Sequence, residues 1–344
     1  MRTAFGQDFD LAGTYLNTPS VGVPPVAVAD AVAEGVRQWQ RGATQPQDFD
    51  QSVDLAREAF AHLVGVPTGS VAIGGSVSAL LALVASSVPD GARVLTASGE
   101  FTSLTFPFAA HGDRGVSVRE VDLDDVPDLA GDHDVVAVSV VQSADGRVVD
   151  LDRLRVATED TRTLVVLDAT QAVGWLPLRL GWAGVVAAGA YKWLLSPRGA
   201  AWMAVREDVV ATLRPLAANW YAGDDPWQTI YGLPLRLSSE ARRLDASPAW
   251  FSHLGAGVAL PWLASLDMTA VWDHCVGLAD ALRGHLDLAP AGSAIVSLPL
   301  AGASARLAAA GVVASVRGGA ARVGFHLYND LDDLDRVVRT LERR

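Results

Sequence analysis

The chain has 344 residues, 50% hydrophobic and 19% charged, which is ample material for a large core and excludes a globally disordered protein. Its formal charge of −12, from 27 basic and 39 acidic residues, leaves no basic run to neutralise nucleic-acid phosphates or to hold an anionic membrane surface. Cys275 is the single cysteine, so an intramolecular disulfide and a cysteine-based metal site are both excluded, and a reducing, cytoplasmic compartment is expected.

The first residues, "MRTAFGQDFDLAGTYL", carry acids early and have no apolar signal core, so 1–14 reads as an extended N-terminal segment. "PPVAVADAVAEGVRQWQRG" (24–42) has helical spacing behind a proline-rich start, and "SVDLAREAFAHLVG" (52–65) is a second helix closed by glycine. An alternation then begins. Strands are expected at 70–75, 93–98, 116–121, 134–141, 163–168, 184–190 and 200–205, with a helix at 76–88 and helix-compatible segments between the others. Short runs rich in β-branched residues, separated by helices, predict an α/β fold with a mainly parallel seven-stranded sheet covered on both faces.

The pattern changes near residue 240, where "SSEARRLDASPAW" reads as a connection. Helices at 251–266 and 269–286, strand-like pieces at 294–298, 312–316 and 321–325, and a last helix in "DLDDLDRVVRTLERR" follow. The expected organisation is a large domain over 15–244 and a smaller α+β domain over 245–344. No apolar stretch reaches the ~20 residues of a membrane span.

Ligands of an open parallel sheet bind at the carboxyl ends of its strands. Three such places carry polar residues. In "IGGSVSALLAL", Ser76 sits between a strand and a helix, where it is either an ordinary N-cap or part of an anion site with the free amides of the first turn. In "TLVVLDATQAVG", Asp168 ends an apolar strand and Gln171 follows. The aspartate is either a cap or a carboxylate able to bind a protonated ring nitrogen. In "GAYKWLLSPRGAAWMAV", Lys192 interrupts one of the most apolar runs of a chain in which very few basic residues are lysines. Such a lysine either snorkels to a partner or is desolvated, which supplies the neutral amine that Schiff-base chemistry requires. A phosphate cup, a ring-nitrogen carboxylate and a Schiff-base lysine are together what pyridoxal 5'-phosphate needs from a protein.

On these motifs the sequence resembles the class V aminotransferase family, within the fold-type I pyridoxal-phosphate enzymes, a group that includes cysteine desulfurases, kynureninases and isopenicillin-N-epimerase-like proteins. The likeness covers about residues 15–340 and is carried by "VVLDATQAVGWLPL", "GAYKWLLSPRGAAWM" and "RVGFHLYNDLDDLDRVV". It implies a homodimer whose active site lies near the subunit interface. It also implies that Lys192 is the lysine of the internal aldimine, Asp168 the partner of the pyridine nitrogen, and Gln171 a donor to the ring's phenolic oxygen. Ser76, by its side chain, and Val77, by its amide, match part of the phosphate cup. Phe101, in "GEFTSLTFPF", matches the residue that stacks on the cofactor ring, where many relatives have histidine. Tyr191 precedes the lysine where desulfurases have histidine, and Gly189 stands where they have a phosphate-binding serine. Ser247, in "DASPAW", is similar to a residue that reaches the neighbouring subunit's phosphate. Arg322 and Arg317 match arginines that approach the substrate carboxylate, which suits a small amino-acid-like substrate.

Desulfurases also carry a nucleophilic cysteine between the two arginine motifs, and here "RGGAARVGFH" has none, so persulfide formation is not expected. The shared chemistry implied is displacement of Lys192 by the substrate amine, followed by proton removal to a Cα carbanion. An aminotransferase-type reaction in small-molecule biosynthesis is the first expectation. The alternatives are a β-eliminating C–S lyase acting on a cysteine conjugate, an epimerase or kynureninase-like hydrolase, and, from another class, a pyridoxal-phosphate-binding regulatory protein. Trp220, Tyr221 and Trp227 are read either as lining the entrance or as packed at a subunit interface.

Overall fold

The computed structural model describes residues 1–342. The segment read as extended opens with a hairpin. β1 (Arg2–Ala4) and β2 (Gln7–Phe9) pair antiparallel across Phe5 and Gly6, both at positive φ, as a two-residue hairpin turn requires. Helices α1 (Val26–Gln40) and α2 (Asp50–Val64) follow, the second closed by Gly65 in the left-handed conformation.

Seven strands then form the central sheet: β3 (Val71–Gly74), β4 (Arg93–Ala97), β5 (Ser117–Val121), β6 (Val135–Ser139), β7 (Leu164–Asp168), β8 (Val185–Gly189) and β9 (Ala201–Val205). Their order is β3-β9-β8-β7-β6-β4-β5, parallel from β8 to β5, with β9 antiparallel to both of its neighbours. Alternation along the strands feeds two cores. In β8, Val186 and Ala188 face one layer while Val185 and Ala187 face the other. Helices α3 (Val77–Ser87) and α4 (Thr102–Ala109) cover the second layer, with Leu80, Leu81, Val84, Leu104 and Phe108 buried there. Helix α2 and α8 (Trp250–Ala264) contribute Phe60, Ala256 and Leu260 to the first. Three shorter helices, α5 (Val126–Leu129), α6 (Leu151–Thr158) and α7 (Glu207–Val210), complete the connections.

After α8 and α9 (Met268–His285), a second sheet of order β10-β12-β11 is built from β10 (Ile295–Leu298), β11 (Ser315–Arg317) and β12 (Ala320–Gly324), all antiparallel. With α10 (Ala303–Ala309) and α11 (Leu331–Glu342) it encloses its own core around Leu298, Leu307, Val323 and Val337. The last two residues of the expected final helix lie outside the described residues. Among the described residues no single helix is long and apolar enough to cross a membrane; α8 and α9 pass such a test only as a pair bent by 94°.

One connection positions the site. Residues 14–23 run from the second sheet, through bridges of Tyr15 with Val313 and Asn17 with Gly324, to the loop after β8. There the Gly22 amide donates to the Tyr191 carbonyl at 2.9 Å. A Cβ at Gly22 would overlap the Lys192 carbonyl oxygen, so only glycine permits this approach.

Candidate active site

The carboxyl ends of β6, β7 and β8 open into one cavity, lined by Gly75–Ser78, Phe101, Ser139, Ser143, Asp168, Thr170, Gln171, Gly189, Tyr191, Lys192 and Arg198. Asp168 is the last residue of β7, and its Oδ1 accepts the Thr170 amide at 2.8 Å. Thr170 in turn accepts the Gly189 amide on its hydroxyl at 3.2 Å, which ties the end of β7 to the end of β8. Ser76 caps α3, accepting the Ala79 amide at 3.3 Å, and Phe101 occupies the N-cap position of α4. The Lys192 Nζ lies 5.1 Å from the Phe101 ring centroid and 5.8 Å from that of Tyr191. A larger cavity, about 650 Å³, opens at the opposite end of the sheet, where Arg206 is already paired with Asp208. Size therefore does not locate the chemistry; convergent polar groups do.

Lys192 is only 6% exposed, and no carboxylate lies within ion-pairing distance of it among the described residues. Burial pulls its pKa down, Asp168 opposes, and Arg322 and Arg317 add to the depression, leaving the amine near 8. Burial likewise pushes the Asp168 carboxyl up, against the Thr170 hydrogen bonds and the field of Lys192. Lys192 is also the only lysine in the 344 residues; every other basic residue is arginine, which does not deprotonate in proteins. The one amine stands where a neutral nitrogen is useful.

Gln171 is committed within the chain. Its Nε2 donates to the Pro19 carbonyl and to Ser143 Oγ, each at 3.0 Å, and its Oε1 accepts from Trp193 Nε1 at 2.7 Å. Donation to a ring oxygen would take one of those two hydrogens. Arg322, 1% exposed, donates to the Ser143 carbonyl and hydroxyl, to Ser315 Oγ and to Ser20 Oγ. Burial and Arg317 lower its pKa to about 10. The arginine thus stands behind Ser143, one residue back from the cavity wall. Arg317 is exposed, reaches Ser20 Oγ at 3.5 Å and does not line the cavity. Ser247 is also exposed and outside the lining.

The tryptophan cluster does not line the cavity around Lys192. Trp227 Nε1 and Tyr221 OH both bond Asp50 at the start of α2, at 2.8 and 3.2 Å, and Trp220 packs on both rings. Of the two readings of that segment, the pocket-lining one is not met by the chain's own cavity. Cys275 lies elsewhere, fully buried with its Sγ 3.9 Å from His326 Nδ1, and burial pushes its thiol up.

Several contributors carried no signal of their own in the sequence. Glu100 accepts from the Ser139 amide and hydroxyl, both at 2.6 Å, and from Gln142 Nε2 at 2.7 Å, so it braces the end of β6 behind Phe101. Ser143 and Ser20 lie between Gln171 and the arginines. Arg198 lay in plain view six residues after the lysine.

The donor set fits pyridoxal phosphate on the structure alone. A desolvated amine, a carboxyl at a strand end, an aromatic face at Phe101 and the first-turn amides of α3 all border one cavity. The fold and this constellation define a fold-type I pyridoxal-phosphate enzyme. The sequence model of the family described as aminotransferase class-V matches residues 25–305, and the chain belongs to that family. It is 29% identical to the uncharacterized aminotransferase YcbU of Bacillus subtilis (strain 168), over 75% of this chain and 72% of that protein. It is 28% identical to a probable hercynylcysteine sulfoxide lyase of Mycobacterium tuberculosis (strain CDC 1551 / Oshkosh), over 72% of this chain but just under two thirds, 65%, of that protein. The fold is shared with the cystine C-S lyase C-DES in complex with cysteine persulfide, at a TM-score of 0.84 and 18% identity over 96% of this chain and 98% of that one. A cysteine desulfurase from Thermococcus onnurineus NA1 superposes with a TM-score of 0.82 at 19% identity, over 96% of this chain and 94% of that one. The protein is thus an enzyme of the transferase or carbon–sulfur lyase type with pyridoxal 5'-phosphate as cofactor.

Proposed function

We propose that the chain carries out transamination of a small amino-acid substrate in biosynthesis, with Lys192 as the residue that holds the cofactor and moves the proton. The observation that carries this is the desolvated amine of Lys192, without an ion-pair contact, in one cavity with Asp168 and Phe101. When bound, the cofactor supplies an electron-accepting ring that acidifies the Cα–H bond of an attached amino acid.

The chain's own residues do the rest. Lys192 Nζ takes the proton from Cα and returns it to the carbon on the far side of the substrate nitrogen, which an amine near pKa 8 does in both directions at neutral pH. Asp168 holds a proton-bearing ring nitrogen in place. Phe101 and Tyr191 order the faces beside the amine. Ser76 and the Val77 amide take the phosphate, and Arg322 takes the substrate carboxylate by releasing Ser143, behind which it stands, while Arg317 lies outside the cavity. Gln171 exchanges Ser143 for the cofactor's ring oxygen.

A proton moved between two carbons on either side of one nitrogen needs one base that can swing. Expulsion of a β-substituent gains from a second acid, and on the Phe101 side a hydrocarbon ring stands. That favours transamination over C–S lysis, the second reading, which the sulfoxide lyase relative supports. Exposed Ser247 and the exposed Tyr231 (86%), Leu233 (89%) and Leu235 (64%) suit a homodimer. The single buried cysteine suits the cytoplasm.

The test has two parts. Borohydride reduction in the presence of pyridoxal phosphate should add the phosphopyridoxyl mass to the peptide holding the chain's only lysine, and Lys192→Ala should show no such adduct. With an amino acid supplied, keto-acid formation should depend on a second 2-oxo acid. Ammonia and pyruvate released without an acceptor would replace transamination with elimination.

A further inference from the structure

We propose that Arg198 is a phosphate-binding residue for the cofactor, supplying as a guanidinium the positive charge that the loop around Lys192 otherwise lacks. The inference rests on the cofactor reading above and concerns a residue to which no role has yet been given.

Arg198 lines the same cavity as Gly75, Ser76, Val77 and Tyr191. Its guanidinium carbon lies 5.3 Å from the Tyr191 ring centroid, over the face of the ring. That ring stands beside the start of α3: a Cβ placed on Gly189 would meet Tyr191 Cε1 at 3.5 Å and Val77 Cγ2 at 3.8 Å. From the other side, a Cβ on Gly75 would lie 3.8 Å from the carbonyl oxygen of Gly199, the residue after Arg198. Arg198 and the first-turn residues of the 11-residue helix α3 therefore border the same cavity, with the Tyr191 ring near both.

A phosphate there needs charge as well as amides. Gly189 offers no side chain, and Tyr191 brings a hydroxyl. Arg198 is exposed at the cavity mouth and, like several other arginines, has no carboxylate within ion-pairing distance among the described residues. In a chain of net charge −12, an unpaired cation beside a ring of amides is a matched seat for a dianion. The choice of arginine has its own chemistry. A lysine here would set a second primary amine beside an aldehyde-bearing cofactor, whereas a guanidinium binds the phosphate through paired N–H donors and leaves Lys192 the only amine in the cavity.

Equilibrium titration of cofactor-free protein with pyridoxal phosphate and with pyridoxal, followed by absorbance, separates the phosphate's share from the ring's. Wild type should prefer pyridoxal phosphate strongly. Arg198→Gln should lose about tenfold or more of that preference, as expected for one charge-assisted contact, while its affinity for pyridoxal changes less than about twofold. Arg198→Lys should keep part of the preference as a point charge. The unchanged pyridoxal affinity also reports that the fold is intact. If Arg198→Gln keeps the wild-type preference, or weakens both ligands equally, the assignment of Arg198 is overturned and the cofactor reading stands. If wild-type protein takes up neither compound, both readings fall together.

Discussion

Two of the buried basic side chains, Arg57 and Lys192, are treated in opposite ways. Arg57, on α2, is 6% exposed and meets Asp245 through two nitrogen–oxygen contacts, 2.6 and 3.2 Å, with a third bond to the Val71 carbonyl. Asp245 also accepts the Ile73 amide at 2.9 Å, so the pair fastens the connection after residue 240 to edge strand β3. Burial works against the Arg57 charge, but the field and hydrogen bonds of Asp245 outweigh it and hold the guanidinium above its ordinary pKa. Lys192 is equally buried with no such partner, and its pKa falls. A paired buried cation is structural. An unpaired one is a liability to folding unless its neutral form is what the site uses.

Breaking the pair should have the larger effect. Arg57→Leu leaves the buried Asp245 carboxylate with only the longer contact to Arg242 Nε at 3.6 Å and is expected to cost about 3–5 kcal/mol in denaturant unfolding. Adding Asp245→Leu should recover most of that loss, because no unpaired charge is then left inside. A double variant no more stable than the single would show that packing by the arginine stem, and not its charge, fixes this edge.

Lys192→Met should move stability the other way. In the folded chain the amine titrates near 8, against 10.5 when unperturbed. Below pH 8 both states hold the proton and the cofactor-free protein carries a buried ammonium. Between 8 and 10.5 the unfolded chain binds the proton and the folded one does not, so wild-type stability rises with pH across that window. Cofactor-free Lys192→Met should therefore exceed wild type by about 3 kcal/mol at pH 7, and the advantage should shrink above pH 8 and vanish past 10.5. Unfolding measured at pH 7 and pH 10.5 checks both the sign and the window. A constant difference at the two pH values would mean that desolvation of the amine is not the cause.

The contrast between the two cations also explains what the sequence could disclose. Lys192, Asp168 and Ser76 announce themselves locally, each a polar residue at the end of an apolar run, and the seven strands follow from β-branched runs separated by helices. Arg57 and Asp245 are 188 residues apart and look like surface charges, because nothing local distinguishes a paired buried residue from a solvated one. Glu100 is hidden in the same way, since its side-chain partners, Ser139 and Gln142, lie about 40 residues on. Arg322 was found by motif, but its seat behind Ser143 depends on how the N-terminal segment folds back, which no periodicity encodes. The hairpin over residues 2–9 was missed because its strands are three residues each, too short to show alternation.

The smallest of the three effects tests how the lysine is held rather than how it is charged. Gly22 brings residues 14–23 against the backbone of the lysine loop, and a methyl group there has no room beside the Lys192 carbonyl oxygen. Gly22→Ala must therefore push the N-terminal segment away, loosening the bonds of Pro19 to Gln171 and of Ser20 to Arg322. The expected loss is about 1–3 kcal/mol, as for other overpacked sites. The sharper readout is chemical. Backed off from its cover, Lys192 would gain solvent and its pKa would climb from about 8 towards 10.5. The pH dependence of alkylation of the chain's only ε-amine should then shift to higher pH in Gly22→Ala, although residue 22 carries no charge. An unshifted profile in a destabilised variant would show that the sheet alone, without the N-terminal segment, keeps the amine dry.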